Sequence, residues 1–175
     1  MTSPLDWTLP TSEIGERGRR EARTATAAEL GALAAELDVL ACDQFVTSYD
    51  IQALGGGRFR LEGSIEGKVT QACVVTLDPV AETISERFTV ELVPEADIPE
   101  RSSDEEQSVL EGEDIEPIRY GVIPLGRIFF EQLSAALDPY PRKPGVEFDW
   151  QDPRAVAEKE KSGPFAALAK LKRTP

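Results

Sequence analysis

The sequence predicts an α+β fold: a curved antiparallel β-sheet or partial barrel with two flanking α-helices, an acidic loop and a loose C-terminal tail. Three observations predict it. Polar and apolar residues alternate through "RFRLEGSIEGKVTQACVV", with Phe59, Leu61, Ile65, Val69, Cys73 and Val75 on one parity and Arg58, Arg60, Glu62, Glu66, Lys68 and Thr70 on the other. "TATAAELGALAAEL" and "PLGRIFFEQLSAAL" instead space their apolar residues three and four apart. Between sheet and second helix, Pro94 to Pro117 holds ten acidic residues and a single arginine. So little apolar surface cannot offset the entropy of ordering a chain, which predicts a mobile loop.

Residues 1–20, punctuated by Trp7, Leu9 and Ile14, read as an extended segment, an edge strand or a run across the surface. The core spans 21–148. Thr26 with Glu29 three residues on is a capping-box pattern, and Leu30, Leu33, Ala34 and Leu37 share a face, predicting a helix from about Ala27 to Leu37. "QFVTSYDIQAL" is rich in strand formers and stops at Gly55, Gly56 and Gly57, a permissive hairpin loop. In the long alternating run, Gly63 and Gly67 fall on the apolar parity, where a strand bends, bulges or admits another backbone. "TISERFTVEL" repeats the two-residue period after the turn signal Asp78-Pro79, which completes an antiparallel sheet or meander. Leu125, Ile128, Phe129, Gln132, Leu133, Ala136 and Leu137 predict a helix from about Pro124 to Leu137, its apolar stripe laid on the sheet. Residues 149–175 read as a tail whose "PFAALAKLK" could form a short amphipathic helix.

Composition narrows the chemistry. No apolar run approaches the roughly 20 residues of a membrane helix, and the start lacks a signal-peptide core, so a cytoplasmic protein without a membrane partner is expected. There is no histidine and there are two cysteines, Cys42 and Cys73. A histidine triad or general base is therefore excluded, and zinc would need more thiolates than the chain has. No catalytic residue, metal or cofactor is predicted. Asp43, Asp78 and Asp138 could be imagined as an acid cluster, but Asp78 and Asp138 each precede proline, where aspartate starts turns. "GGG" lacks the lysine and following helix of a phosphate loop. Cys73, on the apolar parity, reads as a buried structural thiol. Gln71 is polar on that same parity and either bonds backbone inside the core or lies near an open end of the sheet.

The net charge of −13 opposes binding to a polyanion and favours a basic partner. Against it stands "ALDPYPRKPG". Asp138-Pro139 ends the second helix, and Pro141 and Pro144 favour an extended path that presents Tyr140, Arg142 and Lys143. Tyrosine with arginine suits a binding hot spot or stacking on RNA bases. The plainer reading packs Tyr140 under the sheet and pairs Arg142 and Lys143 with surface carboxylates. The acidic segment likewise reads as a lure for a basic partner or as a solvated spacer.

"VTQACVVTLDPV", the acidic insert, "EPIRYGVIPLGRIFFEQLSAALDPYPRKPG" and the distal "FAALAKLK" together resemble the YceD family of large ribosomal RNA subunit accumulation proteins, over roughly residues 7 to 172. The resemblance, to the alphaproteobacterial type, implies a non-enzymatic ribosome-biogenesis factor needed for normal accumulation of 23S rRNA. Many relatives carry a CxxC pair where this chain has Cys73 and Thr76, so a paired metal or redox role does not transfer. Two modes of action are expected. In one, the chain escorts a basic large-subunit ribosomal protein or an assembly intermediate through the 95–116 segment and a sheet edge, with Glu105, Glu106, Glu113, Asp114, Gln71, Asp138, Tyr140, Arg142 and Lys143 as candidate contacts. In the other it binds precursor 23S rRNA through Tyr140, Arg142, Lys143, Lys170, Lys172 and Arg173. A carboxylate–metal RNA-processing enzyme is disfavoured.

Overall fold

The computed structural model describes residues 3–98 and 114–147. In chain order its elements are β1 (Leu9–Pro10), β2 (Arg19–Thr24), α1 (Ala27–Glu36), β3 (Ala41–Gly55), β4 (Arg58–Ala72), β5 (Pro79–Pro94), β6 (Asp114–Ile118), β7 (Val122–Ile123) and α2 (Leu125–Ala136), with single 3₁₀ turns at Thr11–Glu13 and Glu95–Asp97. The architecture is α+β, as the alternating and helical periods predict.

Five strands form one curved, unclosed sheet in the order β2-β3-β4-β5-β6. Its centre is the expected meander, β3 to β4 to β5, antiparallel throughout. Leu61, Ile65, Val69, Val90 and Leu92 are buried on the apolar parity. The two outer strands are less visible in the sequence. β2 reads "RREART" and has no apolar alternation, yet it pairs with β3 from Arg19↔Ile51 to Thr24↔Val46. β6 lies inside the segment expected to be loop over 94–117 and runs parallel to β5, Val90↔Asp114 to Pro94↔Ile118. That expectation is corrected at both ends: Glu95–Asp97 is a 3₁₀ turn and Asp114–Ile118 a strand. Residues 99–113 lie outside the described residues, as do the tail from 148 onward and its expected short helix.

The helices form where the spacing placed them. Thr26 caps α1: its hydroxyl accepts from the Glu29 N–H while the Glu29 carboxylate accepts from the Thr26 N–H, a complete capping box. Those hydrogen bonds hold the Glu29 carboxyl below its ordinary range. α2 seats on the sheet at the two glycines. Gly63 lies between Tyr49 and Phe88 across the strands, and Gly67 between Phe45 and Ile84. The Phe129 ring meets those of Tyr49 and Phe88 at 5.7 Å each, while Leu133 reaches to 3.4 Å from where a Cβ on Gly67 would stand. Side chains, rather than a second backbone, fill the space the glycines leave.

The N-terminal segment, read as an edge strand or a run across the surface, pairs as a short strand and buries its apolar residues in this core. Leu5, Trp7 and Leu9 are buried, β1 pairs with β7 through Leu9↔Ile123, and the Gly126 N–H donates to the Trp7 carbonyl at 2.8 Å. Trp7 also stacks near Phe45 and donates from Nε1 to Glu29 at 2.7 Å.

Candidate functional site

Two parts of the surface hold the residues singled out in the sequence, and β5 separates them. The first is the end where β5 leaves the sheet and β6 begins. Here the described carboxylates are mostly paired: Glu91 with Arg58, Glu95 with Arg119 at 2.9 Å, and Glu116 with Arg127 of α2. Burial pushes the Glu116 carboxyl up in spite of Arg127 beside it. Asp114 is exposed at the start of β6. Glu105, Glu106 and Glu113 lie outside the described residues.

The second part is the opposite end of the sheet, where the turn from β4 to β5 meets the segment leaving α2. The Cys73 N–H donates to the Asp78 carbonyl at 2.8 Å and the Leu77 N–H to the Cys73 carbonyl at 2.9 Å, closing a tight turn with Leu77 at φ 62°. Onto this turn the segment after α2 is pinned three times. Gln71 Nε2 donates to the Asp138 carbonyl at 3.1 Å, the Val74 N–H donates to the Pro141 carbonyl at 2.9 Å, and the Lys143 N–H donates to Cys73 Sγ at 3.5 Å. Pro141 is buried. Asp138 ends the helix as a turn former, its Oδ1 accepting from the Tyr140 N–H at 2.8 Å.

Gln71 follows the second of its two readings: half-buried, it stands at an open end of the sheet, and the backbone carbonyl it bonds is that of Asp138 at the surface and not one inside the core. Tyr140 is exposed, not packed beneath the sheet. Arg142 is exposed and has no ion-pair partner among the described residues. Lys143 pairs with Asp78 at 3.0 Å, which holds the Asp78 carboxyl below its ordinary range. Lys170, Lys172 and Arg173 lie outside the described residues.

Cys73 is fully buried, as its parity predicts. The sequence did not predict the polarity around its sulfur. The Thr76 hydroxyl and the N–H groups of Lys143, Thr76 and Val75 point at it and lower the thiol to about 6. Thr76 therefore supplies a donor to Cys73 from three residues further along the chain. Among the described residues no three Cys, Asp or Glu side chains group as metal ligands. No helix there is long and apolar enough to cross a membrane.

The fold and these two surfaces define a scaffold that presents charged and apolar groups at the ends of a curved sheet. The family of large ribosomal RNA subunit accumulation proteins, YceD, matches residues 61–172, well over half of the chain. The chain belongs to the YceD family. Its role accordingly lies in the accumulation of the large ribosomal subunit's RNA. The match begins within β4, so β1 to β3 and α1 precede it. No match was found among curated proteins or solved structures.

Proposed function

We propose that this chain is a non-enzymatic, cytoplasmic biogenesis factor of the large ribosomal subunit, and that it escorts a basic ribosomal protein on its acidic insert. The observation behind this reading is topological. Parallel pairing of β6 with β5 fixes both ends of the insert at one rim of the sheet. There Glu91, Glu95 and Glu116 are already paired with arginines. Of the ten acidic residues between Pro94 and Pro117, eight are other than Glu95 and Glu116, against one arginine, and these are the charge available to a lysine-rich client.

Direct binding of precursor 23S rRNA at Tyr140, Arg142 and Lys143 has weaker support. Lys143 is already committed to Asp78, which leaves Arg142, among the described residues of this segment, as the cation without an ion-pair partner, beside the Asp138 carboxylate on a chain of net charge −13.

The test is calorimetric titration of the purified chain with each purified basic large-subunit protein at moderate salt. One client should bind. Replacing Asp104, Glu105, Glu106, Glu111 and Glu113 by their amides should then weaken it at least tenfold. Binding unchanged by those five replacements overturns the escort.

A further inference from the structure

Seven large apolar side chains are exposed among the described residues, and four of them gather at the end of the sheet that holds the β4–β5 turn: Leu40 at 58 %, Val74 at 47 %, Leu77 at 76 % and Tyr140 at 71 %. Isolated exposed leucines need no explanation, but a group of them at one end marks a surface that meets something.

Leu77 adds an independent sign. Its φ of 62° lies in the left-handed region, where a bulky side chain is strained and glycine is not. With three quarters of Leu77 in solvent, packing within the chain does not compensate that strain. The base beneath is rigid: the Val74 N–H to Pro141 carbonyl bond, the Lys143 N–H to Cys73 sulfur bond and the Gln71 amide to Asp138 carbonyl bond fix the turn and the 138–143 segment together. A surface already ordered loses little entropy on binding.

Charge selects the occupant. Asp78 is paired with Lys143, so Arg142 is the cation of this surface that has no ion-pair partner among the described residues. Its complement is a carboxylate. A polyanion is disfavoured by the net charge, and a second copy by the repulsion of −13 against −13. The acidic insert of the same chain does not reach. β5 has 16 residues, about 50 Å of strand, whereas the 15 residues between Ile98 and Asp114, which must go out and return, are long enough to span at most about 30 Å from the far rim.

We propose that the Cys73–Asp78 turn and residues 138–142 form a docking surface for a protein segment carrying an apolar side chain beside a carboxylate. Val74, Leu77 and Tyr140 receive the apolar group and Arg142 the carboxylate. This site stands apart from the acidic insert and does not depend on the escort reading.

The experiment places a photo-crosslinking phenylalanine derivative at Val74 of the full-length chain in growing cells and identifies the crosslinked peptide by mass spectrometry. The expected product is one protein segment with an apolar residue within a turn of Asp or Glu. Arg142→Glu should lower that crosslink at least tenfold, and reversing the partner's carboxylate to lysine should restore it. Leu77→Gly should also lower it tenfold while leaving the thermal midpoint equal or higher, which separates lost binding from lost folding. The chain with the five amide replacements in its insert should crosslink as before, so this surface and the escort fail separately. A crosslink to RNA or to a second copy, no discrete product, or a crosslink indifferent to Arg142→Glu and Leu77→Gly overturns the proposal.

Discussion

Cys73 shows how one atom can tie a turn to a distant segment. Its sulfur accepts from the Thr76 hydroxyl and from backbone N–H groups, that of Lys143 among them, so its thiol titrates at about 6 in the folded chain against an ordinary value near 9. Between these values the unfolded chain holds a proton that the folded chain has released. Folding stability therefore rises with pH across this window and is lost as pH falls through about 6. Cys42 does not cancel the effect, because burial pushes its thiol up and it stays protonated there. Urea midpoints at pH 5.5, 7 and 8.5 should climb in the natural chain, with a visibly shallower slope in Thr76→Val. Leu77 belongs to the same turn. Replacing it by glycine relieves the left-handed strain, offset in part by glycine's greater freedom when unfolded, and should stabilise the chain by about 0.5–1 kcal/mol. A scanning calorimeter should read this as a midpoint about 1–4 °C higher.

At the level of elements, α2 organises the core. Leu133 covers Gly67, Phe129 packs on the Phe88 ring that fills the space at Gly63, and the first turn of the helix lies so close to the N-terminal segment that a Cβ on Gly126 would overlap the Leu5 carbonyl. Gly126→Ala must push that segment away, disturbing the Gly126 N–H to Trp7 carbonyl bond and the burial of Leu5. We expect a loss of about 3 kcal/mol, the upper end for an overpacked core. A fall in the urea midpoint and faster amide exchange from Trp7 to Leu9 would check it; an unchanged midpoint would show that the segment adapts. The helices and the meander were legible in the sequence because their apolar periods are long and regular. β2 and β6 were not: "RREART" has no apolar face, and "DIEPI" is charged and contains a proline, so each is a strand only because β3 or β5 offers it an edge.

Over the whole molecule, the acidic insert and the exposed apolar turn stand at opposite ends of β5, which suits a factor that meets two partners at once. Their physics differs. On the proposed escort, binding to the insert is long-range and electrostatic, so raising salt from about 0.05 M to about 0.5 M should weaken client binding at least tenfold by shortening the screening length from roughly 14 Å to 4 Å. The Val74 crosslink, which depends on apolar contact, should survive the same change within about threefold. A client affinity indifferent to salt would remove the electrostatic basis of the escort.

The sequence by itself determined the secondary-structure periods, the acidic character of the insert, the absence of histidine chemistry and the resemblance that the family match bears out, because all of these are properties of local spacing or composition. It also placed Tyr140, Arg142 and Lys143 on an extended segment after the second helix, leaving open whether the tyrosine is exposed or packed under the sheet. Only the tertiary structure decided that Lys143 is consumed by Asp78 while Arg142 is left over, that Pro141 and not Tyr140 is the buried member of the decapeptide, and that the Cys73 turn and this segment form one surface. Those outcomes depend on which groups meet across about 65 to 70 residues of chain. A hydrogen bond or ion pair at that separation exists only once the sheet and α2 have brought its two ends together.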